Sequence, residues 1–473
     1  MSVGADPAAW NGRTQSDGSR HSLTDAARIV GGGALVILFS LVMATVLGRT
    51  PVSLTVALGG GMGLALATAL VVARYELAAT IGFLLLAVVV VEPSPSDALF
   101  GLMMVVALVT GRFGLHRLPR MAVYVVAAFL LLNVVSLSEV IDWGTAGRFF
   151  LVTFYLGIFS LWLGAYVDGP ERSRRVVRAY LVAALLSAVA ASAALFVHFP
   201  GSTALIGDGE RAKGLFKDPN VFGPFLVPIA LILAEELLRP RLLRLRRSLM
   251  FASFLALTLG VIFSYSRAAW LNFAVGLIVL IAVVVLRRPD RRAISLVLVV
   301  LVSGLAIAGV VVASGSLSFL QERAHVQSYD TSRFAAQSRG LTVGLTHPFG
   351  VGPGQFESIS PISSHSLYVR SLSEQGVLGL LAIVALVAGT MVFAVINLRR
   401  GSDTYGIGAA PLLAAWCGLV VNSFFVDTLH WRHLWLVAGL IWAGTMRSRN
   451  DARQERGLRL VRARWHGSRL RAG

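Results

Sequence analysis

The chain has 473 residues, a mean hydropathy of +0.74, 56% apolar residues and only 14% charged ones, with a formal charge of +18. Soluble domains carry about 25% charged residues, so one soluble core does not account for so apolar a chain. Its apolar runs of about 15 to 23 residues have the length of membrane-crossing helices rather than barrel strands.

Taken in chain order, residues 1–28 are polar and read as a disordered cytoplasmic tail with no cleavable leader. Spans are predicted near 29–47, 52–73, 77–91, 98–111, 121–137, 148–167, 176–199, 221–238, 249–265, 268–286, 293–313, 376–397, 408–426 and 431–446. The expected fold is an all-α polytopic membrane protein of about 12–14 transmembrane helices. Its parts are a bundle over 29–313 with a functional outside loop at 200–220, a large extracytoplasmic loop at 314–375, C-terminal helices over 376–446 and a basic cytoplasmic tail at 447–473. A loop as long as 314–375 is expected to carry helices of its own, one of them around Ser332–Leu345. The single cysteine, Cys417, lies in an apolar run and is expected to be a packing residue.

Charge sets the orientation. With the N-terminus inside, 31 of the 40 arginines fall in cytoplasmic segments, among them Arg112–Arg120, Arg172–Arg178, Arg239–Arg247, Arg287–Arg292, Arg399–Arg400 and the tail from Arg447. Lys/Arg bias of this kind orients bacterial inner-membrane proteins and meets anionic lipid heads. Both termini are then cytoplasmic, and the positive charge requires no nucleic acid.

The exceptions to the bias stand out. Both lysines of the protein, Lys213 and Lys217, lie in one outside loop, in the run Arg211–Asn220, where Pro219 and Asn220 suit the start of the following helix. The run is either a solvated loop with a helix cap or an anion-binding edge. A second outside arginine, Arg267, sits in Ser264–Trp270 between two apolar runs, as an interfacial anchor or as a ligand-binding group. The third segment runs from Arg333 through His347–Phe356, with Gly350, Gly352 and Gly354 permitting sharp turns, to His365–Leu380. No lysine follows the glycines as in a phosphate-binding loop for nucleotides. His365 opens an apolar stretch and is expected to share a helical face with Tyr368, while Glu374 caps, orients or is solvated.

These segments together resemble the O-antigen ligase and O-antigen polymerase family of bacterial membrane glycosyltransferases. The resemblance rests on R-x-x-G-x-F-x-x-P-N at Arg211–Asn220, S-R-A at Ser266–Ala268, Arg333 ahead of H-P-x-x-G-V-G-x-G-x-F, and H-S-L-Y with E-x-G-x-x-G from His365 to Gly379. One departure is Ser366, where the family more often has Asn. The resemblance implies transfer of a glycan from a polyprenyl-diphosphate carrier to a hydroxyl of a glycan or lipid-glycan acceptor. Arg211 and Arg267, with Lys213, Lys217 or Arg333, would hold the diphosphate, and His365 would be the general base, supported by Asn220, Tyr368, Glu374 and Gly352. Arginine suits the first task because its planar fork donates two parallel hydrogen bonds and stays charged. Histidine suits the second because its ordinary pKa lies near neutrality. No outside Asp-x-Asp pair or His/Asp cluster is present, so neither a metal nor a cofactor is expected.

Two other functions fit parts of the pattern. A polymerase would join two carrier-linked repeats at the same site. A transporter or flippase would be expected to place acids at depth, yet Glu235 and Glu236 lie near one helix end and Asn133, Asn272 and Asn422 are neutral. A purely structural scaffold for polysaccharide export leaves the outside cations unexplained.

Overall fold

The protein is described by a computed structural model over residues 54–449, apart from 92, 288–290 and 326–327. The predicted span 29–47, the tail 1–28 and the tail beyond 449 lie outside the described residues. From 52–73 onward, each predicted span overlaps a helix. Among the described residues, seven helices have the length and composition to cross a membrane and five shorter ones are apolar, in keeping with the all-α polytopic expectation.

The chain divides into two compact units. The first, residues 54–82 and 97–113 among those described, holds α1 (Leu54–Ala73), most of α2 (Tyr75–Leu84) and most of α3 (Pro95–Val109). Within it the Tyr75 hydroxyl donates to the Met103 carbonyl at 3.3 Å, and Gly82 leaves room for the Phe100 ring.

The second unit holds α4 (Arg120–Val135), α5 (Trp143–Tyr166), α6 (Pro170–Ala194), a two-residue hairpin of β1 (Ile206–Gly207) and β2 (Arg211–Ala212), α7 (Pro219–Leu238), α8 (Arg247–Phe263), α9 (Arg267–Arg287) and α10 (Arg291–Ala313). It continues with α11 (Leu317–Ala324), α12 (Ser328–Thr346), the short α13 (Phe356–Ile359), α14 (Leu367–Arg400), α15 (Ala409–Asn422) and α16 (432–449). The helix around Ser332–Leu345 expected inside the long loop is α12.

Helix limits follow from local chemistry. The Asp142 carboxylate accepts from the Gly144 and Thr145 amides and starts α5, and Pro170 and Pro219 occupy first-turn positions where a missing N–H costs nothing. Gly401, in the left-handed region, closes α14.

The most enclosed span is α7, packed by α6, α8, α9 and α15. Lipid tails are as apolar as leucine, so helices in a membrane associate through close approach of small residues. Gly164 of α5 meets Gly439 of α16 backbone to backbone, Gly260 of α8 meets Ala188 of α6, and Gly418 of α15 meets Asn272 of α9. By contrast α9 and α10 leave most of their length uncovered, as lipid-facing helices do. Cys417 is half-buried, its Sγ 3.9 Å from Met391 Sδ.

Polar groups collect at the two ends of this unit. At one end Arg117 and Arg172 share Asp168, Arg241 and Arg447 share Asp403, and the Ser173 hydroxyl donates to the Thr404 carbonyl. The buried Glu236 carboxylate accepts from the main-chain amides of Arg241, Leu242 and Leu243 and holds the turn after α7. These are the arginine-rich turns that the sequence assigns to one side. The hairpin, the α8–α9 turn, α12 and the loop before α14 form the other end.

Candidate functional site

The hairpin register, Gly207 against Arg211 and Ile206 against Ala212, places Arg211 beside the start of α7. Its Nε–H donates to the Ser264 carbonyl at 3.1 Å and its terminal nitrogen donates to Asn220 Oδ1 at 3.0 Å. Asn220 is itself fixed, because its amide donates to the Asp218 cap at 2.8 Å. Gly214 stands where a side chain would strike Ser187 Oγ, so the loop lies tight against α6 and Phe222. In the same loop Lys213 is half-buried and Lys217 is exposed.

The run Ser264–Ser266 turns the chain from α8 into α9. Tyr265 adopts a left-handed φ of 47°, the Ser264 hydroxyl accepts from the Ser266 amide and the Ser266 hydroxyl accepts from the Ala269 amide. Arg267 is therefore the first residue of α9. It donates to Asp330 Oδ1 at 2.5 Å and to the His325 carbonyl at 3.3 Å. Arg267 is thus paired with a carboxylate on a separate element.

Asp330 belongs to α12, and the period of that helix explains the next link. Asp330, Arg333, Gln337, Gly340 and Gly344 recur at three- and four-residue spacing on one face. Gly340 and Gly344 press against Val369 and Leu372 of α14 with no room for side chains. That contact carries Gln337 and Arg333 to the loop before α14. Gln337 Nε2 donates to the His365 carbonyl at 3.4 Å and to the Phe424 carbonyl at 3.3 Å.

His365 is half-buried and holds a left-handed φ of 46°. Burial pushes its pKa below the usual value and the Arg333 charge pushes it further, while Asp427 and Asp218 act against that shift. The expectation that His365 shares a helical face with Tyr368 is corrected: α14 begins at Leu367. Ser366 is its cap, accepting from the Val369 amide at 3.5 Å and donating to the Ser423 carbonyl at 3.3 Å. Serine and asparagine cap helices about equally well, which gives the departure at Ser366 a benign structural account. The Tyr368 hydroxyl turns away to the Val420 carbonyl at 3.2 Å, and its ring packs on Phe424.

The glycine-rich segment answers a break in α14. Gly376 has φ 70° and ψ −170°, a conformation that only glycine adopts readily. The break frees the Ser373 and Glu374 carbonyls, and the Val351 and Gly352 amides donate to them at 2.9 and 3.0 Å. Gly350 lies so close to the Glu374 carbonyl, and Gly376 to the Pro348 oxygen, that neither tolerates a Cβ. Gln355 extends the seam by accepting from the Asp142 amide at 2.9 Å and donating to its carbonyl at 3.1 Å.

Under this seam lies a buried guanidinium. Arg370 Nη1 is 2.9 Å from Glu374, its Nε is 2.7 Å from Asp427 Oδ2, and its second terminal nitrogen pairs with Glu357 and the Ser363 hydroxyl. It lies over the Phe149 ring. Glu374 is therefore neither a cap nor solvated; it is 1% exposed and paired. Among the described residues no group of three or more His, Cys, Asp or Glu side chains is placed to hold a metal ion.

The structure thus links Arg211 to the turn that carries Arg267, Arg267 to α12, and α12 to His365. Gly352 acts through its backbone on the α14 break. Asp330, Gln337, Arg370 and Asp427 were not picked out in the sequence. The Arg370 and Glu374 pair at four-residue spacing at the start of an apolar helix was the available signal. Asp330 and Asp427 lie too far along the chain from their partners to have one. Residues 252–384, which hold the turn at Arg267, α12, the glycine segment and His365, match the family model described as O-Antigen ligase. No curated protein matches the chain.

Proposed function

We propose that this chain, which carries the domain of the O-antigen ligase family, transfers a glycan from a polyprenyl-diphosphate carrier to an acceptor hydroxyl at the outer face of a bacterial inner membrane. The observation that supports the reading is a chain of contacts joining three distant motifs: Arg211 on the Ser264 carbonyl, Arg267 on Asp330 of α12, and Gln337 of α12 on the His365 carbonyl. Three of the five described non-glycine residues with positive φ, Glu210, Tyr265 and His365, stand in or beside these motifs, and backbone strain of that kind gathers at functional sites.

In the reaction the acceptor oxygen forms a bond to the anomeric carbon while the bond from that carbon to the diphosphate oxygen breaks. The electron pair leaves with the diphosphate, whose growing charge needs fixed cations, and preorganised guanidinium groups serve that need. Arg211 and Arg267 take this role, with Arg333, Lys213 and Lys217 at the margin. His365 accepts the hydroxyl proton. Its lowered pKa keeps the imidazole neutral, and therefore basic, at neutral pH. Attack opposite the leaving group inverts the anomeric centre. Arg370 and its three carboxylates hold the first turns of α14 and with them the loop that bears His365.

The end of the second unit rich in arginine faces the cytoplasm in this reading, together with both termini, as Lys/Arg bias directs. The test is transfer from a lipid-linked glycan in vesicles containing the purified chain. His365→Ala is expected to remain in the membrane and to lose transfer; full activity in that variant ends the base assignment. One attachment per acceptor marks a ligase, and a ladder of lengthening lipid-linked chains marks a polymerase.

A further inference from the structure

We propose that the end opposite the candidate site carries a second binding site, a cavity that takes the phosphate headgroup of an anionic membrane lipid. The cavity has a volume of about 280 Å³ and lies where the ends of α7, α9, α14 and α15 meet. Its walls divide by chemistry. Leu238, Val283, Val284 and Leu398 form an aliphatic side, and Arg239, Arg241 and Arg287 bring three guanidinium groups.

Two carboxylates share the cavity, so the charges must be followed. Asp403 is taken up by Arg241 and Arg447. Glu235 feels both Arg241 and Arg239. Arg287 donates to the Leu398 carbonyl, which holds the group in place without neutralising it. Cation therefore exceeds anion, and Arg239 and Arg287 approach the space from different helices. Phosphate is the ligand that such paired guanidinium donors recognise.

The aliphatic wall selects a lipid as the source of that phosphate. None of the described residues lining the cavity is aromatic, so none of them offers a stacking face to a nucleobase. Beside it α9 presents Val285 and Leu286 outward, Leu286 being 83% exposed, as a surface for acyl chains. Basic pockets between transmembrane helices bind lipid headgroups in this manner.

Native mass spectrometry of the full chain in detergent, with phosphatidylglycerol and phosphatidylcholine as probes, tests the site. Phosphatidylglycerol is expected to remain bound and phosphatidylcholine to be lost. The double variant R239Q/R287Q is expected to retain roughly tenfold less phosphatidylglycerol or lower, since each guanidinium near a lipid phosphate contributes appreciably. R239K/R287K, which keeps the charge, should retain much of it. R120Q/R246Q, arginines outside the cavity, should leave it unchanged. Glu235→Gln should strengthen retention by removing a competing anion, a gain that damage to the fold does not produce. Equal retention of both lipids, equal loss in R120Q/R246Q, weaker binding in Glu235→Gln, or displacement by excess inorganic phosphate would overturn the proposal. Glycan transfer is read separately, because none of these residues belongs to the candidate site.

Discussion

The Arg211 guanidinium and the Ser264 carbonyl are 53 residues apart in the chain and 3.1 Å apart in space. That bond, with the second to Asn220, uses two arms of one planar group on two separate elements. A lysine ammonium is a point donor and does not span both partners in a fixed plane. Hydrogen bonds from charged donors contribute about 1.5–3 kcal/mol each. Arg211→Lys is therefore expected to lower kcat/KM for the lipid-linked donor by roughly 10- to 100-fold while the protein keeps its helical content. Steady-state kinetics in vesicles checks it, and near-unchanged kcat/KM would remove Arg211 from the diphosphate site.

The environment of His365 predicts a pH profile. Burial and Arg333 both disfavour its protonated form, so its folded pKa lies below the ordinary 6.5. The base form then persists as pH falls past 6.5, and activity is lost only in more acid solution. Arg333→Gln removes one of the causes, leaving burial and the weaker Arg370 charge, so the acid limb should move to higher pH. His365→Ala should cost about 10²- to 10⁴-fold in rate, the usual contribution of a general base. Rates measured from about pH 5 to 8, the range in which histidine titrates, decide the matter. An acid limb that stays in place in Arg333→Gln would show that another group titrates.

The sequence carried the helical architecture and the four motifs, because apolar runs and charge bias are local properties. It also marked α12, as the helix expected around Ser332–Leu345 because so long a loop needs structure of its own. What it did not carry is the partner of each charge. Arg370 and Asp427 meet through the packing of α14 against the loop after α15, and no local pattern encodes that approach. The left-handed φ at His365 was hidden for a related reason: the residue was expected on one helical face with Tyr368, and the Ser366 cap with its bond to Ser423 starts the helix at Leu367. The glycines of the 350–354 run were legible as turn formers, but their reason, the two carbonyls freed at Gly376, emerges only when both segments are seen together.

Arg370 is 3% exposed and faces three carboxylates. Removing one member of a buried charge network leaves the others uncompensated, at a cost of about 3–5 kcal/mol. Arg370→Met is expected to show that loss as a lower Tm in detergent and weak accumulation in membranes. Glu357→Gln, at the more exposed edge of the network, should cost less. An Arg370→Met variant as stable as the parent would mean that the carboxylates are protonated or hydrated without the arginine.

Gly376 offers a test of the backbone seam. Its φ of 70° with ψ −170° disfavours any side chain, and an added Cβ would collide with the Pro348 carbonyl oxygen. Gly376→Ala should lose at least about 1–3 kcal/mol from strain alone, with the contact adding to it. Gly389 of the same helix has open space where its Cβ would stand, so Gly389→Ala is the matched control and should be neutral or slightly stabilising. Equal Tm values for the two variants would argue against the break.

The Arg267–Asp330 pair separates binding from folding. Arg267 is about one-third exposed, and a pair of that exposure contributes about 1 kcal/mol or less to stability. Asp330→Asn should therefore leave Tm nearly unchanged. Its effect should fall on the substrate, because the carboxylate sets the direction in which the Arg267 guanidinium points. With that restraint gone, the bond to the His325 carbonyl orients the guanidinium less well for the diphosphate, and KM for the donor should rise about tenfold. kcat should change less, since His365 and its neighbours on α14 are untouched. A fall in kcat at constant KM would move Arg267 from holding the donor to stabilising the transition state. An unchanged KM and kcat would return it to the role of an interfacial anchor.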